Sequence, residues 1–417
     1  MTGRGGRLRS AAVWSAVVLS IGCTDEAEIM PRLRVTEVDS GGVVIVTITG
    51  DPSELPVWTL SDIPVLEISG DAAPYLGRIG EVAFLSDGSL FVEDHLADEL
   101  HLFDADGTLI RLVGGAGSGP GEFQNLTELT VTPGDTVFTY DRRLYRVSLF
   151  APNGELLRTI SLTREDGGRS TLAMDVWALD SDHLLLHRLS AWDSLNTAPL
   201  PRRDQRDVVL YPLDSAGVAR GDPIRFAGGY SVEFEMGDAG SPFTNEPIIA
   251  VGGGHIVHGS GLAYELTVST PDLVPERIVR WGGWEKPLRE EMLNSVRGVY
   301  EAGWEEIRAQ RPDLVESLMD ALFSPNVLPE LLPALGPVLL DEGGRVWVSR
   351  FKPTPDLWAQ EDSWHILDPA GRPLARVVLP PAARLAACRR DRVALIMRDT
   401  LDVESLRVYR LLHAEAR

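Results

Sequence analysis

Only two cysteines, Cys23 and Cys388, occur in 417 residues. A disulfide scaffold and a cysteine-rich zinc module are therefore both excluded. Basic residues are also scarce, with 39 Lys+Arg against 61 Asp+Glu and a net charge of -22. That balance excludes DNA or RNA as the main partner, because a phosphate backbone demands a basic face. No Gly-x-Ser-x-Gly nucleophile elbow is present. The run Gly252-Gly253-Gly254 has no Lys-Ser/Thr after it and no predicted helix, so it reads as a hairpin turn, not a phosphate loop. What the chain does have is 44% hydrophobic residues, enough for a real core, and 40 Gly with 28 Pro, which favour a turn-rich β protein. The length allows two or three ordinary domains or one large repeat domain.

The N-terminus reads as a targeting segment. Arg4, Arg7 and Arg9 precede an apolar run at residues 11–22 that is too short to stay in a bilayer as a permanent anchor. The run ends at Gly22-Cys23 and turns polar at Thr24-Asp25-Glu26. A small residue before Cys at that point resembles the lipobox of bacterial lipoproteins. The resemblance implies a signal peptide over 1–22 and lipidation at Cys23. The position three before the cysteine is Ser20, where that family usually has an apolar residue. A plain secretory signal with an incidental cysteine is the alternative. Removing residues 1–22 takes away three arginines and no acid, which moves the charge from -22 to -25. Cys388, in the apolar stretch Leu385–Cys388, reads as a core thiol.

The informative feature is an internal repeat. Residues 82–113 and 129–160 share a pattern in which Asp94 matches Asp141, Phe103 matches Phe150 and Gly107 matches Gly154, each pair 47 residues apart. Each unit holds four short alternating runs separated by turn residues. Glycine is needed in those turns because hairpins place residues at positive φ. Leu213 with Gly217 and Leu367 with Gly371 repeat the third strand and its turn. Four strands in roughly 40–50 residues is the size of one propeller blade.

Units fall near 79–113, 128–162, 174–227, 247–282, 337–379 and 384–412. The last shows three strands, and Val65–Ile68 is a spare strand before the first. A ring that borrows its missing strand from the other terminus leaves no free edge. The expectation is an all-β six-bladed β-propeller over 61–412 with N-to-C closure; a split third unit would make seven. Between units four and five, within 285–325, apolar residues from Leu288 to Leu322 fall at helical spacing. Pro287 suits a first helical turn and Pro312 divides two helices. This helical insertion lies over one mouth of the ring or packs on the rim. Residues 23–60 read as a lipid-anchored tether and an N-terminal strand at 42–49.

The repeats, with the linker Gly117-Ser118-Gly119-Pro120-Gly121-Glu122-Phe123, resemble NHL-type six-bladed propellers. The opening Asp39-Ser40-Gly41-Gly42-Val43 and the ending Asp402–Leu411 are similar to those of bacterial six-bladed propeller lipoproteins of unassigned function. The resemblance covers most of 36–412 and is weakest at 165–335. It implies a fold and little about activity.

Related folds include lactonases and lyases with a metal on the axis. Residues placed to reach an axial mouth here are Asp94, His95, Asp141, Arg142, Arg143, His187, His258 and Arg350. Only Asp94 and Asp141 recur at equivalent positions, and an Asp there also serves to cap the loop after its strand. His183 and His187, four apart on a strand, lie about 13 Å apart, too far to share a metal. Of the tryptophans, Trp347 and Trp364 sit in strand patterns and read as core, whereas Trp358, in a loop, suits binding. No catalytic set is complete. The expectation is a non-enzymatic binding or scaffold propeller of the bacterial cell envelope, anchored to the membrane by lipid and presenting a face to a protein, peptide or glycan. It needs no cofactor. The alternative is a lactonase-like hydrolase or lyase with an axial divalent metal such as calcium.

Overall fold

A computed structural model describes residues 33–69, 76–162, 172–189, 198–353 and 363–413. The chain is mostly β. It opens with a hairpin, β1 (Arg34–Ser40) and β2 (Val43–Thr49), turned by Gly41 and Gly42 at positive φ, followed by β3 (Val57–Leu60) and β4 (Leu66–Ile68).

Antiparallel meanders follow. The first is β5 (Ile79–Phe84), β6 (Leu90–Asp94), β7 (Glu99–Phe103) and β8 (Leu109–Gly114). The second is β9 (Leu126–Val131), β10 (Val137–Asp141), β11 (Arg146–Phe150) and β12 (Leu156–Ser161). The third is longer: β13 (Leu172–Ala178), β14 (His183–Leu189), β15 (Arg202–Asp214), β16 (Ile224–Phe234) and β17 (Gly237–Gly240). The fourth is β18 (Ile248–Gly252), β19 (His255–Gly259), β20 (Glu265–Ser269) and β21 (Pro275–Trp281). Then come β22 (Lys286–Pro287), α1 (Glu290–Gly303), α2 (Glu305–Gln310), α3 (Pro312–Leu322) and β23 (Leu331–Leu332). The fifth meander is β24 (Leu335–Leu340), β25 (Val346–Arg350), β26 (Ser363–Leu367) and β27 (Pro373–Val378). The sixth has three strands, β28 (Ala383–Arg389), β29 (Arg392–Arg398) and β30 (Glu404–Leu412).

The turn after the third strand shows how one meander seats on the last. Gly107, Gly154, Gly217 and Gly371 all have φ between 79 and 85°. Each N–H closes a turn on the carbonyl three residues back. A Cβ on Gly107 would fall 2.5 Å from Leu66 on β4, and one on Gly154 2.5 Å from Val113 on β8. At Gly217 it would meet Leu162, just past β12, and at Gly371 Val279 on β21. Both the backbone angle and the close approach exclude a side chain. The large residue four before each glycine, Phe103, Phe150, Leu213 or Leu367, is buried.

Buried clusters join the meanders in sequence. Leu102 and Phe123 tie the first to the second, Tyr140 and Leu186 the second to the third, and Leu210 and Ile256 the third to the fourth. Leu266 and Val348 join the fourth to the fifth, and Trp364 and Leu395 the fifth to the sixth. Val92, Ile396 and Leu406 share a further cluster between the sixth and the first.

Residues 33–60 carry more structure than one strand. β2 lies parallel to β21 and β1 outside it, so this hairpin extends the fourth meander. β3 pairs parallel with β27 and antiparallel with the end of β30. β4 pairs antiparallel with β30, with Glu67 opposite Arg407, and gives the sixth meander a fourth strand.

The helical segment differs from its expected outline. Lys286-Pro287 pairs with Leu331-Leu332, so α1 starts only at Glu290. A break at Trp304, in addition to Pro312, divides the segment into three helices. Val315, Leu318, Met319 and Leu322 of α3 pack with Val232 and Phe234 of β16 and with Phe243. Arg203 on β15 donates to the carbonyls of Val327 and Leu328. The insertion is thus held on the long β15–β16 hairpin. Because strands alternate in direction, this end of the hairpin, the first residues of each inner strand and the last residues of β6, β10 and β25 lie at the same end of their sheets.

Candidate functional site

Asp94 and Asp141 end the second strands of the first two meanders and do the same local work. The Asp94 carboxylate accepts from the backbone N–H of Gly77 (2.7 Å), Arg78 (3.3 Å), Leu96 (3.0 Å) and Ala97 (3.3 Å). Asp141 accepts from Gln124 (2.6 Å), Asn125 (3.0 Å) and Leu144 (2.7 Å). Both side chains are buried. Each therefore ties the turn after its strand to the loop entering the inner strand, satisfying donors that burial would otherwise leave orphaned.

The other residues singled out from the sequence separate. His95 is half exposed, with Nδ1 3.1 Å from Glu93. Arg143 is exposed in the same turn as Arg142. His183 pairs with Asp180 at 2.8 Å, while His187 Nδ1 lies 3.2 Å from Asp175. His258 is buried against Phe226, with Nε2 3.1 Å from Ser269 Oγ, and burial pushes its pKa down to about 4. Arg350 stacks on Trp284 between the fourth and fifth meanders, its Cζ 4.6 Å from the ring centre. Cys23, the signal segment and Trp358 lie outside the described residues.

Arg142 leads to the strongest constellation. Its Nη2 donates to Asp175 at 2.9 Å and its Nε to the Met174 carbonyl at 2.8 Å. Asp175 is on the inner strand β13. Glu128 on β9 and Glu81 on β5 stand at the same repeat position, each 47 residues from the next. In all three strands the pairing with the second strand shifts register beside this position. Such a bulge re-aims side chains and is common beside functional sites. β9 lies next to both β5 and β13, and β28 lies next to β5. From β28, Arg384 donates to the carbonyls of Ile79 and Gly80 at 3.3 Å.

These groups feel one another. Glu81 and Glu128 are half-buried by exposure yet ringed by protein. Desolvation pushes the Glu81 carboxyl up to about 7; Arg384 opposes the rise, and the negative charges of Glu93 and Asp175 add to it. Desolvation also raises Glu128 well above the usual range, with Glu81 and Asp175 adding to the shift, while a hydrogen bond from Trp177 and the charge of Arg142 oppose it. Beneath lies Glu93, which accepts from the Glu81 backbone N–H at 2.9 Å and is itself raised by burial. Trp177 stacks on His187, at 6.2 Å between ring centres. The arc Arg384–Glu81–Glu128–Asp175 thus presents acids from three inner strands between two guanidiniums, with an indole beside them. Among the described residues no group of three or more His, Cys, Asp or Glu is placed to hold a metal ion.

Sequence reasoning reached Arg142 and His187 but missed the acids they serve. The signal was available. Extending the 47-residue spacing from Asp94 and Asp141 to every polar inner-strand residue finds Glu81, Glu128 and Asp175.

A second polar interior lies between the fourth and fifth meanders. Trp284 meets Tyr264 at 4.7 Å, Trp281 at 5.4 Å and His365 at 4.9 Å. Trp281 Nε1 donates to the Gly50 carbonyl at 3.1 Å. Trp347 and Trp364 are buried in the neighbouring core, as is Cys388, whose thiol burial raises.

A family model described as a 6-bladed beta-propeller matches residues 61–175, the first two meanders and the start of the third. No curated protein sequence matches the chain. Three solved structures are similar to it. One is a Bacteroides vulgatus ATCC 8482 protein of the DUF4221 family, 12% identical, covering 91% of this chain and 99% of that one, with a TM-score of 0.46. Another is a Bacteroides fragilis NCTC 9343 protein described as exported, 14% identical, covering 85% and 99%, TM-score 0.45. The third is a gluconolactonase of Xanthomonas campestris, 12% identical, covering 85% and 97%, TM-score 0.39. At these scores none of them carries an argument about what this chain does. No helix among the described residues is long and apolar enough to cross a membrane.

Proposed function

We propose that the protein is a six-bladed propeller of the bacterial cell envelope that binds a peptide, protein segment or glycan at one mouth of its ring, without catalysing a reaction. The blade count and closure are supported by the run of meanders, by β4 pairing with β30, and by buried clusters that link each meander to the next and the sixth to the first. Export and lipidation at Cys23 rest on the charged start, the short apolar run and the Gly22-Cys23 junction. Intact mass of the envelope form checks this: a mature chain starting elsewhere, without lipid, overturns the anchor.

The observation that carries the binding site is the arc of repeat-equivalent acids. Polar groups on inner strands are costly to bury, and three in register, with Arg142, Arg384 and Trp177 beside them, supply donors, acceptors and a stacking face. Such a mixture suits a ligand rich in amines or hydroxyls. Glycan and peptide arrays probed with the purified chain test it. Glu128→Gln and Asp175→Asn should weaken the hits at least tenfold, whereas Glu37→Ala on the outer rim should not. Hits that bind all variants equally put the ligand elsewhere and sink the reading. A metal-dependent hydrolase at the same mouth is the competing outcome. It requires stoichiometric Ca, Zn or Mn in the purified protein, together with turnover of a lactone or ester that chelation abolishes.

A further inference from the structure

The fifth meander departs from the repeat at one position. Leu335 pairs with Arg350 and Val338 with Val348, just as Ile79 pairs with Asp94 and Val82 with Val92. Leu126 pairs with Asp141 in the same way. Arg350 therefore stands where the first two meanders carry their buried, loop-tying aspartates. The fifth does not need that tie. Its inner strand is entered through Pro333, which has no N–H, and through Ala334 and Leu335, whose N–H groups both donate to the Gly261 carbonyl at 3.0 Å. The position is released from holding the loop, and it carries a guanidinium instead.

That guanidinium has no anion of its own. Its Cζ lies 4.6 Å from the Trp284 ring centre, and Tyr264 meets the same indole at 4.7 Å. Trp284 and Tyr264 are only 1% and 2% exposed. Arg350 Nε, Trp284 Nε1 and the Tyr264 hydroxyl are all buried without a hydrogen-bond partner among the described residues. No described residue forms an ion pair with Arg350 either. The acid whose charge acts on it, Asp51, already accepts from the Ser53 N–H at 2.8 Å. The other charges nearby are positive: Arg350 and Arg289 act on Lys286, and Arg350 and Arg376 act on His365. A desolvated cation without an anion is costly. In a chain with 61 acids, bases gathered around a single acid leave room for an acid from outside.

We propose that Arg350 and Trp284 seat a carboxylate of a ligand, with Tyr264 and Lys286 beside them. A guanidinium offers N–H groups in a fork that matches the two oxygens of a carboxylate. One uncompensated guanidinium balances one negative charge, which favours a carboxylate over a doubly charged phosphate. Arg350 is half-buried, so its head stays within reach from outside. The indole N–H can only donate, and burial raises the Tyr264 hydroxyl, which keeps its proton. Trp281 and His365 pack on Trp284 and hold it in place before a ligand arrives. The seat uses none of the acids of the arc, so it goes beyond the ligand-site reading above and does not depend on it.

The probes are glucuronate, a sugar acid, and N-acetylalanine, which mimics a peptide C-terminus. Glucose, N-acetylalanine amide and inorganic phosphate are the controls. The readout is the Arg350 Nε–H and Trp284 indole N–H signals of the isotope-labelled full chain in an NMR titration. At least one carboxylate should move both signals together with a Kd below about 10 mM, and the tighter of the two identifies the source. Glucose and the amide should move neither. Arg350→Lys, which keeps the charge and loses the fork, should weaken binding about tenfold or more. Arg350→Met should abolish it while melting no lower than wild type, because it removes an unpaired cation. No movement with either carboxylate overturns the proposal and leaves the buried donors to water. Phosphate binding as tightly as the carboxylates also overturns it. A methionine variant that melts well below wild type does the same, because Arg350 would then be a structural stacking residue. Glu128→Gln should bind the carboxylates like wild type; a loss in that variant would place them at the acid arc instead.

Discussion

The acid arc of the first three meanders and the aromatic interface between the fourth and fifth both bury polar side chains, and burial moves their protons in opposite directions. It lifts Glu81 to about 7 and lowers His365 to about 4. The physical cause is shared, since low-dielectric surroundings penalise whichever form carries charge. The surroundings differ. The charges of Glu93 and Asp175 add to the rise at Glu81. His365 faces Trp281 and Trp284, and its added shift comes from Arg350 and Arg376. The first interior changes its charge with pH near neutrality. The second is fixed by packing, with Arg350 itself lowered by desolvation as it lies on Trp284.

That contrast can be broken in three ways. The largest expected effect is at the aromatic interface. Trp284→Ala removes the ring that Tyr264, Trp281, His365 and Arg350 all touch, and should cost about 3–5 kcal/mol in urea unfolding at pH 8 and less at pH 5, where uncovering His365 relieves part of its desolvation. A loss below about 1 kcal/mol at pH 8 would show that this interface is not governed by packing.

Next comes the scaffold of the acid mouth. Asp141→Ala strips the acceptor from three backbone N–H groups and should cost about 2–3 kcal/mol. Asp141→Asn, which keeps one acceptor oxygen, should recover part of it. A loss of less than about 0.5 kcal/mol for the alanine variant would mean that the loop before β9 stands without this tie.

The smallest effect is a slope. Buried neutral His365 contributes stability that is present above its ordinary pKa of 6.5 and is lost as pH falls towards about 4. Stability of the wild type should therefore include a loss of roughly 1–2 kcal/mol from this residue between pH 7 and pH 5. His365→Phe should flatten that limb. The acids of the mouth act in the opposite sense over the same range, so Glu81→Gln should steepen the acid-side decline that His365→Phe relieves. Denaturant midpoints measured across pH for both variants separate the two interiors.

What could be read in the sequence was what is encoded locally. Gly107, Gly154, Gly217 and Gly371 announce themselves because a tight turn at positive φ leaves almost no other choice. Asp94 and Asp141 stood out because they recur 47 residues apart at equivalent positions of the repeat. β1 and β3 were not legible, since their pairing with β2, β21, β27 and β30 depends on strands that no turn signal connects. The start of α1 was misplaced by three residues because Lys286-Pro287 is held by Leu331-Leu332, across the whole insertion. Glu81, Glu128 and Asp175 were not singled out, because nothing in their local sequence sets them apart from other polar strand residues. Local register shifts in the pairing with β6, β10 and β14 fall beside all three, and those depend on partner strands. Their common spacing was the one trace the sequence kept of that arrangement.

The β4–β30 pairing also bears on how the chain is made. Glu67 and Arg407 are 340 residues apart, so a strand synthesised early waits for a partner synthesised almost last. Contacts of such long separation form slowly. Until β30 is available, Leu66 and Ile68 have no sheet to join, and Gly107 of the first meander has nothing to seat against. A chain cut short before β30 would thus be left with an exposed apolar strand near its start and an open edge near its end. The late pairing therefore separates finished chains from unfinished ones. Only a chain that has delivered both ends can hide this strand, and an unfinished one remains visible to proteases.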